Sequence, residues 1–176
     1  LFNSALTEKA LNKYTNEDIV IKSWALLNVE NPSFETKFIR PLIESAEITE
    51  QQAEQITAVY NRILEVYKDT SSAGDKKALK AAKRIITRTH LLSLVPVTLQ
   101  SIKDNIPIED FAEFAITFFS GKKSASINDV YNTAAGAASG KAENVKKRIT
   151  AITEAYKAYF TKQETASKKA DNFNDY

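Results

Sequence analysis

The 176-residue sequence contains no cysteine, no methionine and a single histidine, His90. These absences exclude a thiol nucleophile, a thiolate-bound zinc and a cysteine-ligated iron–sulfur cluster. Glycine and proline number only 4 each, and β-branched runs of period two are scarce. No long apolar run occurs either. Ala115-Ile116-Thr117-Phe118-Phe119 is among the longest, whereas a spanning helix needs ~20 apolar residues. A membrane span is therefore not expected, and the N-terminus lacks the basic-then-apolar layout of a signal peptide. These features predict a cytoplasmic protein. With no Met at position 1 and a start at Leu1, the chain reads as a segment of a longer protein. Charge of one sign is also missing. Lys and Arg total 24 against 22 for Asp and Glu, so no global bias toward nucleic acid or anionic lipid exists.

What is present is helical. Hydrophobic residues make up 43% and charged residues 26%, an ordinary globular balance. The length matches about one domain at the ~150-residue prior, and such a chain buries roughly 70% of its unfolded surface without staples. Apolar residues recur at three and four. A first helix is expected over Ser4–Lys13, capped by Asn3. Asn16 is the expected N-cap of a second, with Glu17 and Asp18 in its first turn and a stripe of Ile19, Val20, Trp24 and Leu27. Asn31-Pro32 ends it. Ser33 caps a short piece carrying Phe34, Phe38 and Ile39, and Pro41 opens the next turn.

Thr49 and Gln52 form a capping box ahead of a helix whose Ile56, Val59, Tyr60, Ile63, Leu64 and Tyr67 share a face. Asp69–Gly74 reads as a polar loop. Asp75 caps a long helix running to about Leu94, which Pro96 kinks or restarts. Pro107 opens a helix with Phe111, Phe114, Phe118 and Phe119, ended by Gly121. Ser126 with Asp129 starts a short helix ending near Gly136, and the small residues 134–140 form a loop. The last helix begins near Ala142 with a heptad-like seam of Val145, Ile149, Ile152, Tyr156 and Tyr159. From Thr161 the chain turns polar and predicts a frayed tail over 161–176. The expected architecture is all-α: one compact multi-helix bundle of about seven to nine helices over residues 1–160.

The strongest functional candidate is the basic face of the 76–94 segment. Lys76, Lys77, Lys80, Lys83, Arg84 and Arg88 fall in an arc of roughly 140° at helical spacing, and no Asp or Glu occurs from Lys76 through Lys103. This face can lie along a phosphate backbone or an acidic partner. It can equally be solvated, or paired with Glu44, Glu47, Glu50, Glu54 and Glu65 of the acidic segment before it. His90 sits at the edge of the apolar face, near Thr87 and Ser93. It reads as a half-buried, hydrogen-bonded histidine, or as a general base if an acid and an orienting group stand beside it. Di-iron bundles use Glu with Glu-x-x-His, and no Glu accompanies His90, so the carboxylates read as solvated. Helically spaced aromatics can stack bases but belong more naturally to a core. Gly121-Lys122-Lys123-Ser124 lacks the upstream glycine and the strand of a phosphate loop. Lys122 and Lys123 remain a generic cationic loop able to hold an anion. No metal site and no cofactor is expected.

Five stretches together resemble a known family: Asp18–Trp24, Asn31–Lys37, Arg88–Leu94, Phe118–Lys122 and Asn144–Ile149. They are similar to the helical region that follows the catalytic domain in bacterial proteins of the ParB/sulfiredoxin-like "DGQQR" family, which includes GmrSD-type restriction proteins. The family's activity resides in an N-terminal nucleotide-handling domain whose DGQQR motif is absent here. Its C-terminal His-Asn-His nuclease needs more than one histidine. The resemblance thus implies an accessory helical domain of a nucleic-acid-directed or defence protein, with no catalytic residue to carry over. The expected function is non-catalytic: support or positioning of a neighbouring domain of the same polypeptide. The alternative is a nucleic-acid or acidic-partner module using the basic face.

Overall fold

The structure, a computed structural model, describes residues 15–72, 74–120 and 126–171, with side chains over 17–72, 74–120 and 129–161. Eight helices and no strand occur among the described residues, in the order α1 (Thr15–Asn28), α2 (Thr36–Ser45), α3 (Glu50–Ser72), α4 (Lys76–Ile85), α5 (Arg88–Lys103), α6 (Ile108–Ser120), α7 (Ser126–Ala134) and α8 (Ala142–Asp171). The all-α bundle matches the expectation. The expected Ser4–Lys13 helix and the Gly121 stop lie outside the described residues.

The sequence around Leu91 determines which helix sits innermost. Leu91, Leu92, Ser93, Leu94 and Val95 are consecutive and all buried, so α5 has no solvent face there. A helix buried on every side must be covered by neighbours, and α5 packs on α1, α3, α4 and α8. Around it, α6 packs on α3, α4 and α8, α7 lies on α8, and α2 lies on α1. Ile56, Val59, Tyr60, Ile63, Val66 and Thr70 of α3 are buried, at the three-and-four spacing of one helical face. Leu64 and Tyr67 flank that stripe as half-buried residues. Phe111, Phe114, Phe118 and Phe119 are core, as their spacing implied. Phe114 meets the Tyr156 ring of α8 edge-on at 5.7 Å, and Phe118 meets the Tyr131 ring of α7 at 4.9 Å, separations that favour edge-to-face aromatic pairs.

Two predicted caps are present. Thr49 N–H donates to Gln52 Oε1 at 3.0 Å and Gln52 N–H to Thr49 Oγ1 at 3.3 Å, the reciprocal box that satisfies two orphan donors. The same Gln52 Oε1 accepts from Trp24 Nε1 at 3.0 Å, so the start of α3 is tied to α1. Asp75 accepts from Lys77 N–H at 3.0 Å and caps α4.

Several expectations are corrected. The predicted 75–94 helix breaks at Ile86–Thr87, not at Pro96. Thr87 is extended (ψ 137), and both its N–H and its hydroxyl go to Arg84 O, at 3.0 and 2.8 Å. A β-branched residue whose hydroxyl competes for a helix carbonyl ends the turn. Pro96 lies inside α5, which stays helical because neighbours cover it. That packing offsets the ~3 kcal/mol an interior proline costs. Pro41 likewise lies within a continuous α2, on its exposed side, where water can reach the freed carbonyl. Asn16, the expected N-cap, falls inside α1. Asp69–Ser72 form the last turn of α3, with Thr70 Oγ1 donating to Val66 O at 2.6 Å. The backbone of α8 runs on to Asp171.

Thr98 of α5 is fully buried and its Oγ1 has no hydrogen-bond partner among the described residues. An unsatisfied buried hydroxyl costs about 1–3 kcal/mol. Thr98→Val is therefore expected to stabilise the fold by about 1 kcal/mol, read as a higher urea midpoint at unchanged slope. A lower midpoint would mean that the hydroxyl has a partner.

Candidate functional site

The ends of α4, α6 and α7 meet around His90, where the predicted basic surface comes apart. Arg84, on the last turn of α4, is half-buried and points inward. Its Nη1 donates to Phe119 O at 3.0 Å, its Nη2 to Asn132 Oδ1 at 2.7 Å, and its guanidinium stands 5.8 Å from the Phe119 ring centroid. It thus occupies the carbonyl end of α6, where a cation suits the helix dipole. Arg88 starts a separate helix and forms an ion pair with Asp18 Oδ2 of α1. Neither arginine belongs to the outward basic face that helical spacing predicted. The break at Ile86–Thr87 is the cause, because it ends the common helical register.

Lys76, Lys77, Lys80 and Lys83 remain exposed on α4. None joins an ion pair among the described residues, and no ion pair there links α4 to the acidic residues of α2 and α3. Of the readings left open for this face, pairing with the acidic segment does not occur within 4.0 Å among the described residues. Lys122 and Lys123 lie outside the described residues.

His90 is half-buried, and both ring nitrogens are engaged. Arg84 Nε faces His90 Nε2 at a long 3.5 Å, and His90 Nδ1 meets Tyr131 Oη at 2.8 Å. A guanidinium only donates, so Nε2 accepts and the proton sits on Nδ1, donating to Tyr131. Thr87 and Ser93, the neighbours that sequence spacing suggested, bond elsewhere: Thr87 to Arg84 O, and Ser93 to Thr89 O at 2.8 Å. Burial, reinforced by the Arg84 and Arg148 charges, lowers the His90 pKa to about 4. Burial pushes Tyr131 up to about 12. At neutral pH both rings are uncharged.

The residue that spacing missed is Arg148 of α8. It is 1% exposed, which charged side chains rarely are without a partner. Its Nε donates to Ser93 Oγ at 3.2 Å, and its Nη1 to Ala134 O at 3.0 Å and Ser139 O at 2.5 Å. No carboxylate pairs with it among the described residues, and burial lowers its pKa. A signal existed in the sequence. Arg148 stands three residues after Val145 and four before Ile152, on the core-facing seam itself. A second buried cation, Lys22, is 4% exposed and pairs with Asp18 Oδ1 at 2.7 Å. It too follows Ile19 by three on an apolar stripe.

No group of three or more His, Asp or Glu side chains converges to hold a metal among the described residues. No protein-family model, curated protein or solved structure matches this chain.

The His90 environment has a pH signature. The folded state keeps His90 neutral down to about pH 4, whereas the unfolded chain protonates near its ordinary value of ~6.5. Between those values the unfolded state binds the extra proton, so His90's contribution is complete above pH ~6.5 and is lost as pH falls toward 4. The urea midpoint is expected to fall over that window, and His90→Gln should flatten the fall relative to wild type. Parallel pH profiles for the two proteins would refute the buried neutral histidine.

Proposed function

We propose that this chain is a non-catalytic accessory helical domain that supports or positions a neighbouring domain of the same polypeptide. The observation that carries this reading is an apolar patch where α1, α2 and α3 meet. Val20 (40% exposed), Ile43 (62%) and Ile48 (41%) are three of the five large exposed hydrophobics among the described residues. All three line one shallow groove of about 390 Å³. Val20 and Ile48 also line a second groove of about 330 Å³ that reaches Ile56 and Tyr60. Scattered surface apolar residues need no explanation, but a contiguous patch marks a contact surface. The engagement of His90 between Arg84 and Tyr131 supports the non-catalytic part. The resemblance to the DGQQR family makes a nucleotide-handling domain the neighbour to test first.

The test is binding between this chain and the separately expressed flanking region of its gene. Ile43→Asp with Ile48→Asp alters exposed positions, so the helical circular dichroism should be retained. Burying one such side chain is worth ~1.5–3 kcal/mol, so affinity should drop at least tenfold. An unchanged affinity, or a gene with no flanking domain, would sink the proposal.

A second reading is favoured by the exposed lysines Lys76, Lys77, Lys80 and Lys83, which face water without counter-ions among the described residues. They suit a nucleic acid or an acidic partner. Duplex DNA binding is expected to weaken with salt at a log–log slope of about 0.9 per phosphate contacted. Combining Lys76→Ala, Lys77→Ala, Lys80→Ala and Lys83→Ala should flatten that slope. No binding at low salt, or a slope that does not move, would end this reading.

A further inference from the structure

A small polar cleft opens beside the buried Arg148. It is lined by Lys22 of α1, Phe34, Arg88, Thr89 and Leu92 of α5's first turns, the Ser139–Gly140 turn and Arg148, with a volume of about 180 Å³. The turn is held in place because Phe34 N–H donates to Gly140 O at 2.7 Å and Ser33 Oγ donates to the same oxygen at 3.2 Å. The cleft therefore has walls from five segments of the fold, tied together by these bonds, by those of Arg148 to Ser93 and Ser139, and by the Arg88–Asp18 ion pair.

Its charge is unbalanced. Three cations line it, and one carboxylate, Asp18, serves both Lys22 and Arg88. Arg148 has no counter-ion among the described residues although it is 99% removed from water. Its Nε and Nη1 are used on Ser93, Ala134 and Ser139. Its Nη2 has no hydrogen bond among the described residues. An uncompensated buried cation is costly, and an anion in the cleft would offset that cost.

The backbone adds to this. Thr87, at the N-terminal boundary of α5, makes no side-chain capping bond, because its hydroxyl goes to Arg84 O. The first N–H groups of α5 therefore lack the side-chain acceptor that a cap supplies. The positive end of the helix dipole lies at the residues, Arg88 and Thr89, that line the cleft.

We propose that this cleft binds a phosphate-class oxyanion, with Arg148 Nη2 and Lys22 Nζ as its inner donors, Thr89 beside them, and Arg88 shared between the ligand and Asp18. The volume suits one tetrahedral oxyanion with accompanying water. Phe34 and Leu92 form an apolar wall that can accept the organic part of a phosphate monoester. Asp18 is the built-in competitor, since any anion must share Lys22 and Arg88 with it.

The experiment is titration of the full chain with inorganic phosphate and with phenyl phosphate, against chloride at matched ionic strength. Calorimetry and thermal denaturation report binding, and the Thr89 and Gly140 amide resonances report its place. Saturable binding in the millimolar range or below is expected, with those two amides shifting. Lys22→Gln and Arg88→Gln should each weaken it about tenfold, as loss of a charge-assisted bond predicts. Asp18→Asn should tighten it severalfold, an effect that a merely structural ion pair does not produce. These three variants leave Arg148 in place, so the test does not depend on a substitution that empties the core. Tighter binding of phenyl phosphate than of phosphate assigns the site to an ester, and equal or weaker binding assigns it to the free anion. No response beyond that of chloride, or affinities unaltered by the variants, would overturn the proposal.

Discussion

Every helix ends with carbonyls that its own backbone cannot satisfy, and in this chain arginine side chains take much of that role. Arg148 donates to Ala134 O at the end of α7 and to Ser139 O in the following turn. Arg84 donates to Phe119 O at the end of α6. Arg62 of α3 reaches Ile106 O and Pro107 O just beyond α5, while its Nε holds Ser101 Oγ at 2.9 Å. Helices more often close with a glycine in the left-handed conformation, but this sequence has only 4 glycines. Among the described residues, Gly74 is the glycine with positive φ, while Asn31, Asn105 and Ala138 adopt it without being glycine. A guanidinium is suited to this task because its fork of donors can reach carbonyls on two segments at once. Arg84 and Arg148 therefore each close a helix, Arg62 holds the α5–α6 connection, and all three set where a distant helix packs.

This use of arginine reshapes the surface. An arginine spent on a carbonyl is unavailable to a partner, so the outward basic face of the 76–94 segment contracts to the lysines of α4. Lysine suits that position, since its ammonium is a strongly hydrated point charge on a flexible stem. Arg88 bridges to Asp18 because α5 begins a new register after Thr87. The near-zero net charge then has a local explanation. Among the described residues no ion pair joins α4 to the acidic residues of α2 and α3, and both sets of charges face water.

Much of the fold could be read from local patterns. The Thr49–Gln52 box, the Asp75 cap, the Pro107 start and the Phe111–Phe119 stripe depend on residues within a few positions of each other, and all are present. The break at Ile86–Thr87 was harder to see. Pro96 is the stronger breaker by propensity, yet neighbours enclosing α5 outweigh it, while Thr87 breaks the helix with a hydroxyl that any helix can tolerate. Tertiary packing decides the Pro96 case, and packing is not visible in a window of one segment. The polar site divides in the same way. Arg148 and Lys22 could have been flagged as cations on apolar stripes. Their partners, Ser93, the Ala134–Ser139 carbonyls and Asp18, are distant in sequence and follow no spacing rule.

The three arginines differ in what surrounds their charge. Arg62 and Arg84 are half-buried, so water still screens them, and Glu65 and Glu109 lie in the field of Arg62. Arg148 has neither source of relief. Its Nε and Nη1 explain why it is needed to hold α5, α7 and α8 together, but carbonyls and a hydroxyl satisfy hydrogen bonds without cancelling a charge. A neutral donor at that position would meet the same geometric demand at lower desolvation cost. Retaining a full cation there, next to Lys22 and Arg88 and at the positive end of α5, is a larger electrostatic expense than closing the turn requires. That excess of charge over structural need is what separates the Arg148 cleft from the surroundings of Arg62 and Arg84.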